Sequence, residues 1–109
     1  MDIQNKNIYC PYFDDEVALS SERIEHIQEQ HPDLLPQYRN FIDEVIKNPD
    51  SIRRSQRMPN GHLFTKWCDE VQNGKYVIVV IIAEVLRKWV ITSYISRKFP
   101  KGDMIWTKD

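Results

Sequence analysis

Two of the chain's three histidines, His26 and His31, stand five residues apart in the stretch EHIQEQHP, and a proline follows the second at once. Imidazole titrates near neutrality, so it suits the transfer of protons at ordinary pH. Five residues of ideal helix turn through about 500°, or about 140° beyond a full turn, which aims two helical rings at different faces. Pro32 changes the geometry for the second ring: a residue before proline is pushed out of the α region, and proline offers no backbone donor. His31 is therefore released from the helix and can face whatever packs beside it, whereas His26 lies between Ile24 and Ile27 at the edge of an apolar helical face. The plainer alternative is a histidine bonded to a backbone carbonyl and a second acting as a helix-end cation. No metal site is expected, because Glu25, Glu29 and Asp33 read as solvated and no Cys/His spacing supplies further ligands.

Alternation along strands gives a second group. In HLFTKWC, His62, Phe64, Lys66 and Cys68 share one face, and in WVITSYIS, Val90, Thr92, Tyr94 and Ser96 share another. Lys66 thus falls among residues that should be inside, while Thr92 and Tyr94 point together. The three are expected to converge on one surface, although Lys66 can also snorkel and Thr and Tyr are good strand formers.

Basic residues supply the third group: Arg53, Arg54 and Arg57, then Arg87 and Lys88, then Arg97, Lys98 and Lys101. The net charge of −1 conceals an asymmetry, with 4 Lys/Arg against 11 Asp/Glu in residues 1–50 (net −7) and 11 against 5 in residues 51–109 (net +6). A basic half can meet a polyanion while the acidic half faces away, or the halves can neutralise each other in the fold.

The elements that must hold these residues follow from the pattern. At 109 residues the chain makes one domain. Residues 1–16 have neither period and read as an N-terminal arm with at most one short strand. Residues 17–50 form the helical part. Ser20 caps a helix over about 20–30, and a second helix runs from Pro36 to about Lys47 with Tyr38, Phe41, Ile42, Val45 and Ile46 as its stripe. Residues 51–109 form the sheet part, with strands at 51–57, 62–71, 76–83 and 89–96 and a short edge strand at 104–106. The run VIVVIIA marks a strand buried on both faces. The expected fold class is α+β, N-terminal helices packed on a four- to five-stranded antiparallel β-sheet.

No stretch reaches the apolar length of a membrane span and the first residues lack a signal-peptide pattern, so a cytoplasmic protein with reduced Cys10 and Cys68 and no membrane partner is expected. P-loop, GxGxxG, HExxH and nucleophile-elbow motifs are missing from the sequence, and no cofactor is expected.

The order LSSERIEHIQEQHPDLLPQYRNFIDEVIKNPDSI, HLFTKW, an apolar strand and WVITSYISR resembles phage and cyanobacterial proteins of the barnase, EndoU, colicin and RelE-like (BECR) nuclease superfamily over residues 17–106. The resemblance implies a metal-independent endoribonuclease, toxin-like or phage-related, that attacks phosphorus with the RNA 2′-OH. Residue by residue it implies His26, His31, Lys66, Thr92 and Tyr94 as the catalytic set, with Arg53 as a ligand for RNA phosphates; Arg54, Arg57 and Arg97, by their own spread over strand ends, read either as a continuation of that phosphate track or as a solvated rim. It also implies RNA, a tRNA or an mRNA, as partner and an inhibitor or antitoxin protein as a second. Two other classes stay open: a nucleic-acid-binding module on the same fold without turnover, and an interaction module in which VIVVIIA and the tryptophans form a homodimer.

Overall fold

A computed structural model describes residues 5–108. Nine elements follow one another: β1 (Lys6–Cys10), β2 (Asp15–Leu19), α1 (Ser21–Gln30), α2 (Asn40–Lys47), β3 (Ser51–Arg54), β4 (Gly61–Cys68), β5 (Lys75–Ala83), β6 (Lys88–Ser96) and β7 (Asp103–Thr107). The strands form one seven-stranded sheet in the order β1-β2-β6-β5-β4-β3-β7. Every pair is antiparallel except β2 and β6, which meet in parallel at Ala18 and Trp89. The sheet is thus mixed and dominates the molecule, and the expected four- to five-stranded antiparallel sheet beneath N-terminal helices is incorrect.

The two strands beyond that number, β1 and β2, come from the N-terminal end of the described chain. The expected arm is a hairpin: Ile8 and Cys10 on β1 pair with Val17 and Asp15 on β2, and Ile8, Cys10, Val17 and Leu19 all enter the core. Asp14, at φ 52°, closes the turn by donating its backbone N–H to the Pro11 carbonyl at 3.2 Å. At the far side, β7 pairs along β3 and not along the last preceding strand.

The helices are shorter than the sheet they cover. In α1, the Ser20 side chain accepts from the Arg23 N–H at 3.1 Å, and the helix ends at His31, whose N–H donates to the Ile27 carbonyl. Residues 32–39 form turns, so the expected second helix loses its first turns and starts only at Asn40. Ile42, Val45 and Ile46 of α2 are fully buried against the sheet. No helix among the described residues is long and apolar enough to cross a membrane.

Within the sheet, β5 is buried on both faces from Val77 to Ile82, as its unbroken apolar run predicts. Val77, Val79 and Ile81 join the main core with Phe64, Cys68 and Val90 on the helix-covered face. Ile78 and Val80 point the other way and cluster with Leu63, Tyr76, Ile91 and Tyr94 on an open face. A bulge between Val80 and Ile81 places Ile91 as the extra residue on β6, between Val90 and Thr92.

That open face is crossed by the β6–β7 connection. Four strand spacings of about 4.8 Å separate these strands, and a handful of residues at about 3.3 Å each span them only if nearly extended. Residues 97–102 therefore run across the sheet, with the Phe99 ring 4.6 Å from Tyr76 and 4.9 Å from the Arg53 guanidinium.

Candidate functional site on the open face of the sheet

Strand register builds the site row by row. Thr92, Val80, Leu63 and Arg53 are successive partners across β6, β5, β4 and β3, so all four side chains project from the open face. The next row is Tyr94, Ile78, Thr65 and Ser51. The crossing segment covers part of these rows, which accounts for the burial of the polar Thr65 and Ser51. Between that segment and the 55–58 turn a cavity of about 470 Å³ remains, floored by Leu63 and Val80 and lined by Arg57, Thr92, Tyr94 and Lys101.

The polar equipment of this cavity is one-sided. Arg57 and Lys101 bring two cations, Ser55, Thr92 and Tyr94 bring hydroxyls and Gln56 an amide, and no carboxylate among the described residues lines it. The Arg53 Nε, in the same row as Thr92, is buried without a hydrogen-bond partner. Burial pushes the Tyr94 phenol above its ordinary pKa, keeping it protonated as a donor.

His31 reaches this face from the end of α1. Its ring centroid lies 5.8 Å from that of Tyr94, with the planes tilted by 34°. The backbone fixes it there from both sides, since its N–H donates to Ile27 and its carbonyl accepts from Leu34 at 3.0 Å. The proline after it thus does what the sequence suggests: it turns His31 out of the helix and toward the strand that carries Tyr94.

The remaining expected site residues go elsewhere. Lys66 pairs with Val77, a residue of the helix-covered face, so it points away from Thr92 and Tyr94, and the expected convergence of the three does not occur. Its Nζ lies 3.8 Å from Asp50, beside a hollow that also contains Glu44 and Glu70. His26 is exposed on α1 and does not join His31. Arg54 pairs with His62 on the helix-covered face, and Arg97 is exposed at the start of the crossing segment. Of the basic set, Arg53 and Arg57 reach the open face.

Sequence reading named Lys101 only as part of a basic run, and it did not find Met58, Leu63 and Val80 as walls and floor. Pro100-Lys101-Gly102 marks a turn in the sequence, but the place of Lys101 at the same cavity as Arg57 depends on a chain crossing that no local pattern encodes.

His62, the third histidine, is structural. Its Nδ1 lies 3.0 Å from the Asn60 carbonyl and its ring meets Phe13 edge-on at 5.1 Å. Cys68 is equally inert, with burial pushing its thiol up to about 11.

No protein-family model, curated protein or solved structure matches the chain. The site therefore has to be interpreted from its own chemistry.

Proposed function

We propose that the chain is a metal-independent endoribonuclease whose site is the open-face cavity. One observation carries this: the His31 ring lies against Tyr94, one wall of a cavity furnished with Arg57, Lys101 and Thr92 and lined by no carboxylate among the described residues. The seven-stranded sheet differs from the one the superfamily resemblance implies, so the support comes from the site and not from the fold.

The chemistry needs a base, an acid and cations. His31 takes the proton from a 2′-OH, and that oxygen attacks phosphorus. As the bond from phosphorus to the 5′ oxygen breaks, Tyr94 gives its phenolic proton to the leaving oxygen. The products are a 2′,3′-cyclic phosphate and a free 5′-OH, and solvent returns the proton from imidazolium to phenolate. Arg57 and Lys101 stabilise the extra charge on the phosphoryl oxygens, with the Thr92 hydroxyl as a further donor. Lys66 has no part in this scheme.

The test is incubation of the purified chain with end-labelled RNA in EDTA beside His31→Ala and Tyr94→Phe. Cyclic-phosphate ends that appear with the parent chain and vanish with both substitutions support the scheme. Binding of RNA without cleavage would instead make the chain a nucleic-acid-binding module. What favours that second reading is that no histidine of the described residues lines the cavity itself: His31 touches its Tyr94 wall.

A further inference from the structure

Beside the cavity, the open face displays aromatic rings whose exposure does nothing for folding. Trp67 is 43% exposed and Phe99 54% exposed. Neither ring is loose. The Trp67 Nε1–H donates to Asp69 at 2.7 Å, Tyr76 meets the indole edge-on at 5.0 Å, and the Gly74 backbone approaches so closely that a Cβ there would stand 2.6 Å from Cζ2. Phe99 lies between Tyr76 and the Arg53 guanidinium. Large apolar surface that is fixed in place yet kept in water loses the stabilisation of burial, and such surface marks a contact made with something else.

The neighbours of these rings identify the contact. Arg53 abuts Phe99, and Arg57 and Lys101 line the cavity in the direction of Thr92 and Tyr94. On the indole side, Asp69 accepts from Nε1–H and Asp50 accepts from the Trp67 backbone N–H at 2.8 Å, so the cations lie toward Phe99. Rings next to cations, on a sheet face that also carries a cavity lined by Arg57 and Lys101, match a polymer that alternates flat bases with anionic links. Every base has a π face, so such stacking needs no particular sequence. In a duplex those faces are already covered by neighbouring bases, whereas in a single strand they are free.

We infer that Trp67, Tyr76 and Phe99 form a stacking platform for the bases of single-stranded RNA, whose phosphates run along Arg53, Arg57 and Lys101. This rests on the reading of the cavity as an RNA site and narrows its substrate to unpaired strands. Trp67 and Phe99 are positioning residues, since they hold the strand and do not touch the reacting phosphorus.

The experiment separates binding from cleavage by using 2′-O-methyl oligouridine, which has no free 2′-OH to attack. Fluorescence anisotropy compares this oligomer with an abasic strand of equal length and with a duplex, on the parent chain and on Trp67→Ala, Phe99→Ala and Trp67→Phe. The expected results are about tenfold weaker binding for the abasic strand, a similar loss for each alanine variant, and substantial recovery with Trp67→Phe. Equal affinity for abasic and base-bearing strands overturns the platform, and so does a duplex held as tightly as a single strand. The comparison of strands on the parent chain decides the matter even if an alanine variant fails to fold. Cleavage of unmodified RNA is scored separately: absence of cleavage with base-dependent binding intact removes the nuclease and keeps the platform, whereas cleavage with base-independent binding does the reverse. No binding to any strand overturns both.

Discussion

The His31 and Tyr94 rings lie 5.8 Å apart, centroid to centroid, although they come from a helix end and a central strand more than sixty residues away. The pairing gives Tyr94→Phe a clear expected outcome. The phenyl ring keeps its packing on Ile78 and Val80, so the melting temperature stays close to that of the parent. Removal of the acid lowers the single-turnover cleavage rate by about 100-fold or more. An unaltered rate would mean that another group protonates the leaving oxygen.

Lys66→Ala separates the two faces of the sheet. The side chain lies opposite Thr92 and Tyr94 and pairs with Asp50 at 3.8 Å, so cleavage should stay within about threefold of the parent. Loss of the partly exposed ion pair costs about 0.2–1 kcal/mol, measurable as a small shift in the urea midpoint. A loss of cleavage as deep as that of Tyr94→Phe would move the reaction to the helix-covered face.

His62 governs part of the response of the fold to acid. Burial holds its imidazole below the ordinary value, and nearby Arg54 pushes the same way, while the carbonyl contact at Asn60 opposes them. In the unfolded chain such a ring titrates near about 6.5. Between the depressed folded value and this one, the unfolded state carries a proton that the folded state lacks. The contribution to stability is therefore complete above the unfolded value, and it declines as pH falls through the folded one. Urea midpoints should drop between about pH 7.5 and about pH 5, and His62→Gln should flatten that slope. An unchanged slope in the variant would assign the response to other groups.

What the sequence reveals and what it hides differ in kind. Parity within a strand was legible in β4, where His62, Phe64, Lys66 and Cys68 share a face; on β6, Thr92, Tyr94 and Ser96 share one, but the bulge at Ile91 sends Val90 to the other, which no local alternation foretells. Whether two such faces coincide depends on the pairing between strands. Lys66 stands opposite Val77 while Tyr94 stands opposite Ile78, one residue further along β5, and that single step puts them on opposite sides. The Ser20 cap, the helix stop at His31 and the doubly buried β5 follow from local chemistry and could be read directly. The N-terminal hairpin could not, because its strands are five residues each and half of their side chains face water. The place of β7 beside β3 is set by the crossing segment, whose route depends on Phe99 meeting Tyr76 and Arg53.

The same crossing of local and distant contacts makes Gly74 a test of how Trp67 is held. Gly74 sits at φ +103°, a conformation that side-chain-bearing residues rarely adopt, and a Cβ there would also meet the indole at 2.6 Å. Gly74→Ala should destabilise the fold by about 1–3 kcal/mol from the backbone alone, and by more with the clash included. Combining it with Trp67→Ala separates the contributions, since truncating the indole removes the clash and leaves the backbone strain. The double variant is therefore expected to lose less stability than the two single variants together, by about 0.5–3 kcal/mol. Urea titrations of the four proteins measure that coupling. Strict additivity would mean that the indole does not rest on Gly74, and a platform without that support would not hold Trp67 in place for a base.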